Sequence, residues 1–210
     1  MGNENEAFRT IAREAEAEIE EKRSVFIAAV RRVETEEEAL AFVKERKKRY
    51  PDATHTVYAY LLRKGAARYS DDSEPTGTAG MPTLEAIRRA GLSDVVVATT
   101  RYFGGTLLGA GGLTRTYGAA AHAGLDAAGV AEFVPFTAYL LSCTYADYQK
   151  ILPELPKFGV KVRDTAFTDL VRVRVALPSE AGDGFCRRLT ELTAGRCAVE
   201  ETERCLDLKT

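Results

Sequence analysis

Between Asp71 and Gly118 two glycine-rich loops bracket one apolar strand, and this stretch constrains the fold more tightly than any other. The first loop reads DDSEPTGTAG. It is followed by the helical segment PTLEAIRRA, the strand DVVVATT (94–100), and then TRYFGGTLLGAGGLTRTYG. A nearly unbroken apolar run of this length reads as a strand covered on both faces. Eight glycines fall between Gly77 and Gly112. A loop that only turns needs one or two. This many lets main chain approach a ligand or a neighbouring backbone, with N–H groups converging on it.

The flanking sequence supplies the other elements. Residues 15–30 read as two strands, and Thr35–Glu38 is a capping box opening a helix that Pro51 ends. HTVYAYLL (55–62) is a strand, followed by a return strand at 66–70. Pro82 and Gly91 bound the next helix. Leu113 to Ala128 is a helix stopped by Gly129, with a thin alanine and glycine surface suited to close packing on a sheet. After Phe133-Val134-Pro135 the order becomes strand (137–145), helix (146–157), strand (160–167), strand (169–177), helix (179–194), strand (197–206). That is the ferredoxin-like βαββαβ pattern. LVRVRVAL alternates strictly, which places arginines on the outward face of a half-covered sheet. Two domains are therefore expected, 1–135 with the two glycine-rich loops and 136–210.

Charge and cysteine usage narrow the function. The 210 residues carry a formal net charge of −2, with 18 Lys+Arg against 20 Asp+Glu up to Pro135 and 11 against 11 beyond. Neither half has the basic excess of a nucleic-acid binder recognised by charge alone, so such a site must be a local patch. No apolar run approaches the roughly 20 residues of a membrane span. MGNENEAF lacks a secretory core, and Glu6 stands where a myristoylation motif needs Ser or Thr; a cytoplasmic protein is expected. Cys143, Cys186, Cys197 and Cys205 are spaced too widely for a zinc site and read as reduced structural thiols.

Arg101 sits at the end of the apolar strand, and Arg115 lies in the first turn of the following helix. A positive charge is unfavourable at that helix end unless an anion sits there too. The two arginines, with backbone from Gly104, Gly105, Gly111 and Gly112 and with Thr76, Thr78 and His55 nearby, form a candidate anion- or nucleic-acid-binding set. The alternative is that Arg101 or Arg115 pairs internally with Asp71, Asp72 or Glu74 and clasps the loops together. Those three carboxylates are also candidates for a Mg²⁺ ion that keeps several waters. The basic run Lys44 to Arg49 complements the C-terminal end of its own helix. No Gly-Lys-Ser/Thr ending or G-x-S-x-G elbow is present. Tyr58, Tyr60, Tyr69, Tyr102, Phe103 and Tyr117 surround the loops, and exposed rings among them would stack on bases.

DDSEPTGTAG followed by VVVATTRYFGGTLLGAGGLTRTYG resembles the signature region of the IMPACT family, close to its bacterial YigZ branch, and DATHTVYAY resembles the strand ahead of it. Ser73, Met81, Val57 and Thr83 depart from the usual pattern. The resemblance implies an α+β two-domain fold. The N-terminal domain would be βαβ, like those of ribosomal proteins and elongation factor G, and the C-terminal domain ferredoxin-like. It also implies a link to translation regulation.

Two function classes follow. One is a cytoplasmic regulator that binds RNA phosphates or a ribosomal surface through the glycine-loop cleft, with no membrane or sequence-specific DNA partner and no required cofactor. The other is a metal-assisted enzyme acting on a small phosphorylated or carboxylated substrate. Near-neutral charge and the lack of a recognisable nucleophile favour binding.

Overall fold

The computed structural model describes residues 6–209. The chain forms two compact units, Phe8–Glu132 and Phe133 onward. The first contains β1 (Phe8–Ile11), β2 (Ala15–Glu21), β3 (Ser24–Arg32), α1 (Glu36–Arg49), β4 (His55–Leu61), β5 (Ala67–Ser70), α2 (Gly80–Arg89), β6 (Val95–Tyr102) and α3 (Gly109–Ala128). Its sheet has the order β2-β3-β6-β4-β5, with each neighbouring pair antiparallel. β3 and β4 flank β6, run parallel to each other and are joined by α1. β5 and β6 flank β4 and are joined by α2. Both connections are βαβ units with one strand inserted between the parallel pair.

The apolar run lies at the centre of this sheet, as its composition requires. Val96 and Ala98 pack with Ala39, Phe42 and Val43 of α1. Val95 and Val97 face the other way, onto Leu84 and Ile87 of α2 and Ala121 and Leu125 of α3. Burying a side chain of this size contributes roughly 1.5–3 kcal/mol. The thin surface of α3 is used: a Cβ on Gly124 would lie 2.9 Å from Val30 Cγ2.

Three local features depart from the sequence expectations. β1 is too short for alternation to announce it; Ser93 N–H donates to the Arg9 carbonyl at 2.9 Å. Thr35 caps α1 by accepting from Glu38 N–H at 3.2 Å, but the Glu38 carboxylate reaches Glu34 N–H at 2.7 Å rather than closing the box on Thr35. α3 begins at Gly109, not Leu113, which puts Gly111 and Gly112 inside its first turn. Glycine disfavours helix, but tertiary packing overrides a propensity of that size.

The second unit contains β7 (Val130–Cys143, its first residues still in the first unit), α4 (Tyr145–Ile151), β8 (Lys161–Phe167), β9 (Val171–Pro178), α5 (Gly182–Thr193) and β10 (Ala198–Leu208). The strand order β10-β7-β9-β8 is antiparallel throughout. That is the ferredoxin-like arrangement. Leu141, Val173, Val175, Phe185 and Leu189 form its core. Arg172 and Arg174 are exposed, as the alternation of β9 predicts. The helix expected over 146–157 ends at Ile151 and gives way to a 3-10 turn at Leu155–Phe158. Pro153 lacks the N–H that would continue the helical ladder, and its ring crowds the preceding turn.

Gly104 sits where β6 leaves the sheet. A side chain there would enter the van der Waals envelope of the Arg23 carbonyl and Ser24 nitrogen, whereas Gly105 has φ +82° and open space around it. Gly104→Ala is expected to destabilise by about 3 kcal/mol, the upper end of overpacking. Gly105→Ala is expected to cost only about 1 kcal/mol of left-handed strain. Urea unfolding of the two variants checks the order; a larger loss at Gly105 would contradict the close backbone approach.

Candidate functional site

The first glycine-rich loop is held by its own aspartates. Asp71 accepts from Gly77 N–H at 2.9 Å, Ala79 N–H at 3.0 Å and Gly80 N–H at 2.7 Å. Its carboxylate thus satisfies the start of α2, where negative charge is favoured. Asp72, at φ +43°, turns the other way. It accepts from Thr56 N–H and Lys47 Nζ, each at 2.7 Å. Thr78 is buried and its hydroxyl donates to the Pro75 carbonyl at 2.7 Å, while Thr76 is exposed.

Glu74 points inward. Its Oε1 accepts from Arg101 Nη1 at 2.6 Å and from the Tyr117 hydroxyl at 2.7 Å. Arg101 Nη2 also reaches Ser24 Oγ at 3.4 Å, and its guanidinium lies 5.3 Å from the Phe26 ring and 5.7 Å from the Phe103 ring. Glu74 is 8% and Arg101 5% exposed, so this ion pair is desolvated. Burial and the Glu74 carboxylate push the Tyr117 hydroxyl far above its ordinary range, which keeps it a donor. Arg101 therefore takes the internal pairing among the two alternatives open in the sequence.

His55 completes the cluster. Its Nδ1 is 2.7 Å from the Asp72 carbonyl oxygen, and its Nε2 is 3.9 Å from Glu74 Oε1. A carbonyl only accepts, so Nδ1 carries a proton and Nε2 faces the Glu74 carboxylate. Thr54, His55, Ser73, Glu74, Pro75, Arg101, Phe103, Leu107 and the start of α3 line a cavity of about 410 Å³. Phe103 and Leu107 are exposed at its rim. Leu108 and Leu113 form apolar wall. No side chain caps the start of α3, and its first turn holds no acidic residue.

Arg115 lies elsewhere. It lines a groove of about 560 Å³ together with Arg89, His122, Glu85, Met81 and Pro82. Gly104 and Gly105 belong to the exit of β6, and Gly111 and Gly112 to the first turn of α3. Of the sequence-predicted set, His55 and Arg101 line the cavity and Arg115 the groove, while Thr76, Thr78, Gly104, Gly105, Gly111 and Gly112 line neither. Arg89 and the hydrogen bond from Tyr117 to Glu74 were not singled out from the sequence; Arg89 offered no signal beyond its place late in α2. Asp71, Asp72 and Glu74 do not converge: among the described residues no group of three or more His, Cys, Asp or Glu side chains is placed to hold a metal. The four cysteines are free thiols. Burial pushes the Cys197 thiol up to about 12 and raises that of Cys143, so neither is a thiolate at neutral pH.

The fold and this geometry define a class: a two-unit α+β protein with an N-terminal glycine-loop cavity and a C-terminal ferredoxin-like unit. Comparison with known proteins gives it a family. Residues 22–125 match the Impact N-terminal domain, and residues 141–196 match a domain of unknown function, DUF1949. The chain is 35% identical over 199 residues to the IMPACT family member YvyE of Bacillus subtilis, covering 94% of this chain and 92% of that protein. It is 33% identical over 189 residues to the IMPACT family member YigZ of Escherichia coli, covering 86% and 92%. A crystal structure described as that of a hypothetical protein, 30% identical, superposes with a TM-score of 0.60 over 94% of this chain and 98% of the other. The chain belongs to the IMPACT family.

Two outcomes follow from this geometry. Glu74→Ala leaves a buried guanidinium unpaired and is expected to cost about 3–5 kcal/mol, while Glu74→Leu combined with Arg101→Met recovers most of that loss. Denaturant unfolding of the single and double variants measures it; equal losses would mean the pair is not desolvated. The second concerns acid. Burial tends to raise the Asp72 carboxyl, but its bonds from Lys47 and Thr56 outweigh this and hold it below the ordinary 3.8. The folded state then binds this proton more weakly than the unfolded chain does. Its stabilisation is full above pH 3.8 and is lost as pH falls through the lower folded value. Asp72→Asn is expected to flatten the acid limb of stability against pH below 3.8 and to leave its shape near neutrality unchanged.

Proposed function

We propose that this IMPACT-family protein is a cytoplasmic, translation-related RNA-binding module that grips phosphates in the groove between α2 and α3. The observation that carries the reading is the charge balance of that groove. Arg89 and Arg115 are both exposed there, and among the described residues neither has a hydrogen bond or ion pair to a carboxylate, although Arg115 also shares a smaller cavity with Glu20 and Glu21. The only carboxylate lining the groove, Glu85, is already bonded to Arg88 at 2.7 Å. His122 adds a further donor-capable ring on the same wall. Exposed cations without internal partners are what a phosphate backbone neutralises, with counterion release as the driving term. Arg101 has no such role in this reading, because Glu74 already compensates its charge. The setting in translation follows from the family resemblance. None of the described helices is long and apolar enough to cross a membrane.

The test is binding to ribosomes and to short structured RNA across a salt series, with an Arg89→Ala/Arg115→Ala variant beside the parent protein. Affinity is expected to fall with salt, and the double variant to flatten the slope of log K against log salt by about 1.4–1.8, two phosphate contacts' worth. Binding that is indifferent to salt, or unchanged in the folded double variant, would remove the groove from the function.

A further inference from the structure

The start of α3 opens into the cavity at the end of β6, where Gly109 and Ala110 form part of the wall. The helix runs for 20 residues, no side chain caps it, and its first turn holds no acidic residue. Among the described residues, the N–H groups of Gly109, Ala110, Gly111 and Gly112 donate to no side chain and to no carbonyl outside the helix. These orphan donors and the helix dipole together present roughly half a positive charge. By contrast, Thr35 and Asp71 supply an oxygen to the starts of α1 and α2.

A second donor, independent of the helix, borders the same space. Arg101 is 5% exposed and lines the cavity. Its Nη1 and Nη2 are bonded to Glu74 and Ser24, but its buried Nε–H has no acceptor. A buried donor left unpaired carries its desolvation penalty in full, and the penalty is largest for a charged group. Glu74 does not relieve it: the bonds this carboxylate receives, from Arg101 Nη1 and Tyr117, both fall on Oε1, which His55 Nε2 also faces at 3.9 Å.

We propose that this cavity binds a small carboxylic acid as its anion. The carboxylate is held by the start of α3 and by Arg101 Nε–H, and an apolar body lies against Leu107, Leu108, Leu113 and Phe103. The groups left without partners are all donors, so the polar end of the ligand must accept. The Glu74 charge offsets that of Arg101, which leaves the partial charge of the helix end to be matched. A single negative charge meets that condition, whereas the second charge of a phosphate would be repelled by Glu74. The hydrocarbon side of the ligand follows from the walls, where three leucines stand beside a Phe103 ring that is 45% exposed at the mouth. The volume of about 410 Å³ lies in the range of small-molecule sites, roughly 300–1,000 Å³. This inference goes beyond the RNA reading and does not rest on it, since neither Arg89 nor Arg115 lines the cavity.

The test is proton–nitrogen correlation NMR of the whole protein during titration with phenylacetate, its neutral amide phenylacetamide, and phenyl phosphate. Saturable shifts of the Gly109, Ala110 and Gly111 amides and of the Arg101 Nε–H are expected with phenylacetate. Phenylacetamide is expected to bind at least about 10-fold more weakly, because it offers no charge-assisted acceptor. Ala110→Asp sets a resident carboxylate in the first turn of α3, where the dipole favours it and the fold is kept. That variant is expected to weaken phenylacetate at least about 10-fold. Equal affinity for phenylacetate and its amide, or an unchanged affinity in Ala110→Asp, overturns the anion site. Tighter binding of phenyl phosphate overturns the choice of a single charge. Shifts confined to residues outside the cavity, or no saturable shift with any of the three compounds, overturn the proposal as a whole.

Discussion

The ion pair between Arg101 and Glu74 ties the candidate site together. It joins the end of the central strand β6 to the first glycine-rich loop, with Tyr117 of α3 and Ser24 of β3 bonded to the same two side chains. Four segments distant in sequence therefore share one polar cluster under a layer of apolar packing. Taking two charges out of water is costly, and the attraction between them roughly repays that cost rather than yielding a surplus. What the pair provides is geometry. With Glu74 drawn inward, Asp71 can close on the start of α2 and Asp72 can turn back to Thr56, which brings its carbonyl onto His55. The orientation of the histidine is thus a consequence of a salt bridge in which it takes only a distant part.

Much of this was legible from residues alone. The apolar run at 94–100 required a strand with both faces covered, and β6 has α1 on one side and α2 and α3 on the other. The alternation in LVRVRVAL fixed which side chains of β9 face water, and the element order gave the ferredoxin-like unit. The glycines were harder to interpret. A glycine beside a ligand and a glycine against a neighbouring strand look identical in a sequence, and Gly104 is of the second kind, tight against Arg23 and Ser24. The two arginines posed the same difficulty. Arg101 and Arg115 both stand well away from the acidic loop along the chain, but only the strand brings its arginine onto Glu74. Burial decides between an internal clasp and an external contact, and burial is a property of tertiary packing. β1 escaped notice because four residues are too few to display a period, and the early end of α4 required weighing one proline against several helix formers.

The division of labour between cavity and groove bears on whether the site binds or catalyses. A general base needs a lone pair within reach of a proton to be moved. Catalysis also requires a nucleophile or an activated water and a means of stabilising developing charge. The thiols here are protonated, the Tyr117 hydroxyl is locked as a donor to Glu74, and the Arg101 charge is already spent on Glu74. An arginine so compensated cannot offer its full field to a developing anion. The same pair that organises the loop thus moves its chemistry away from charge stabilisation and towards shape and hydrogen-bond recognition. In the reading proposed above, the exposed Arg89 and Arg115 rather than Arg101 attract the polyanion.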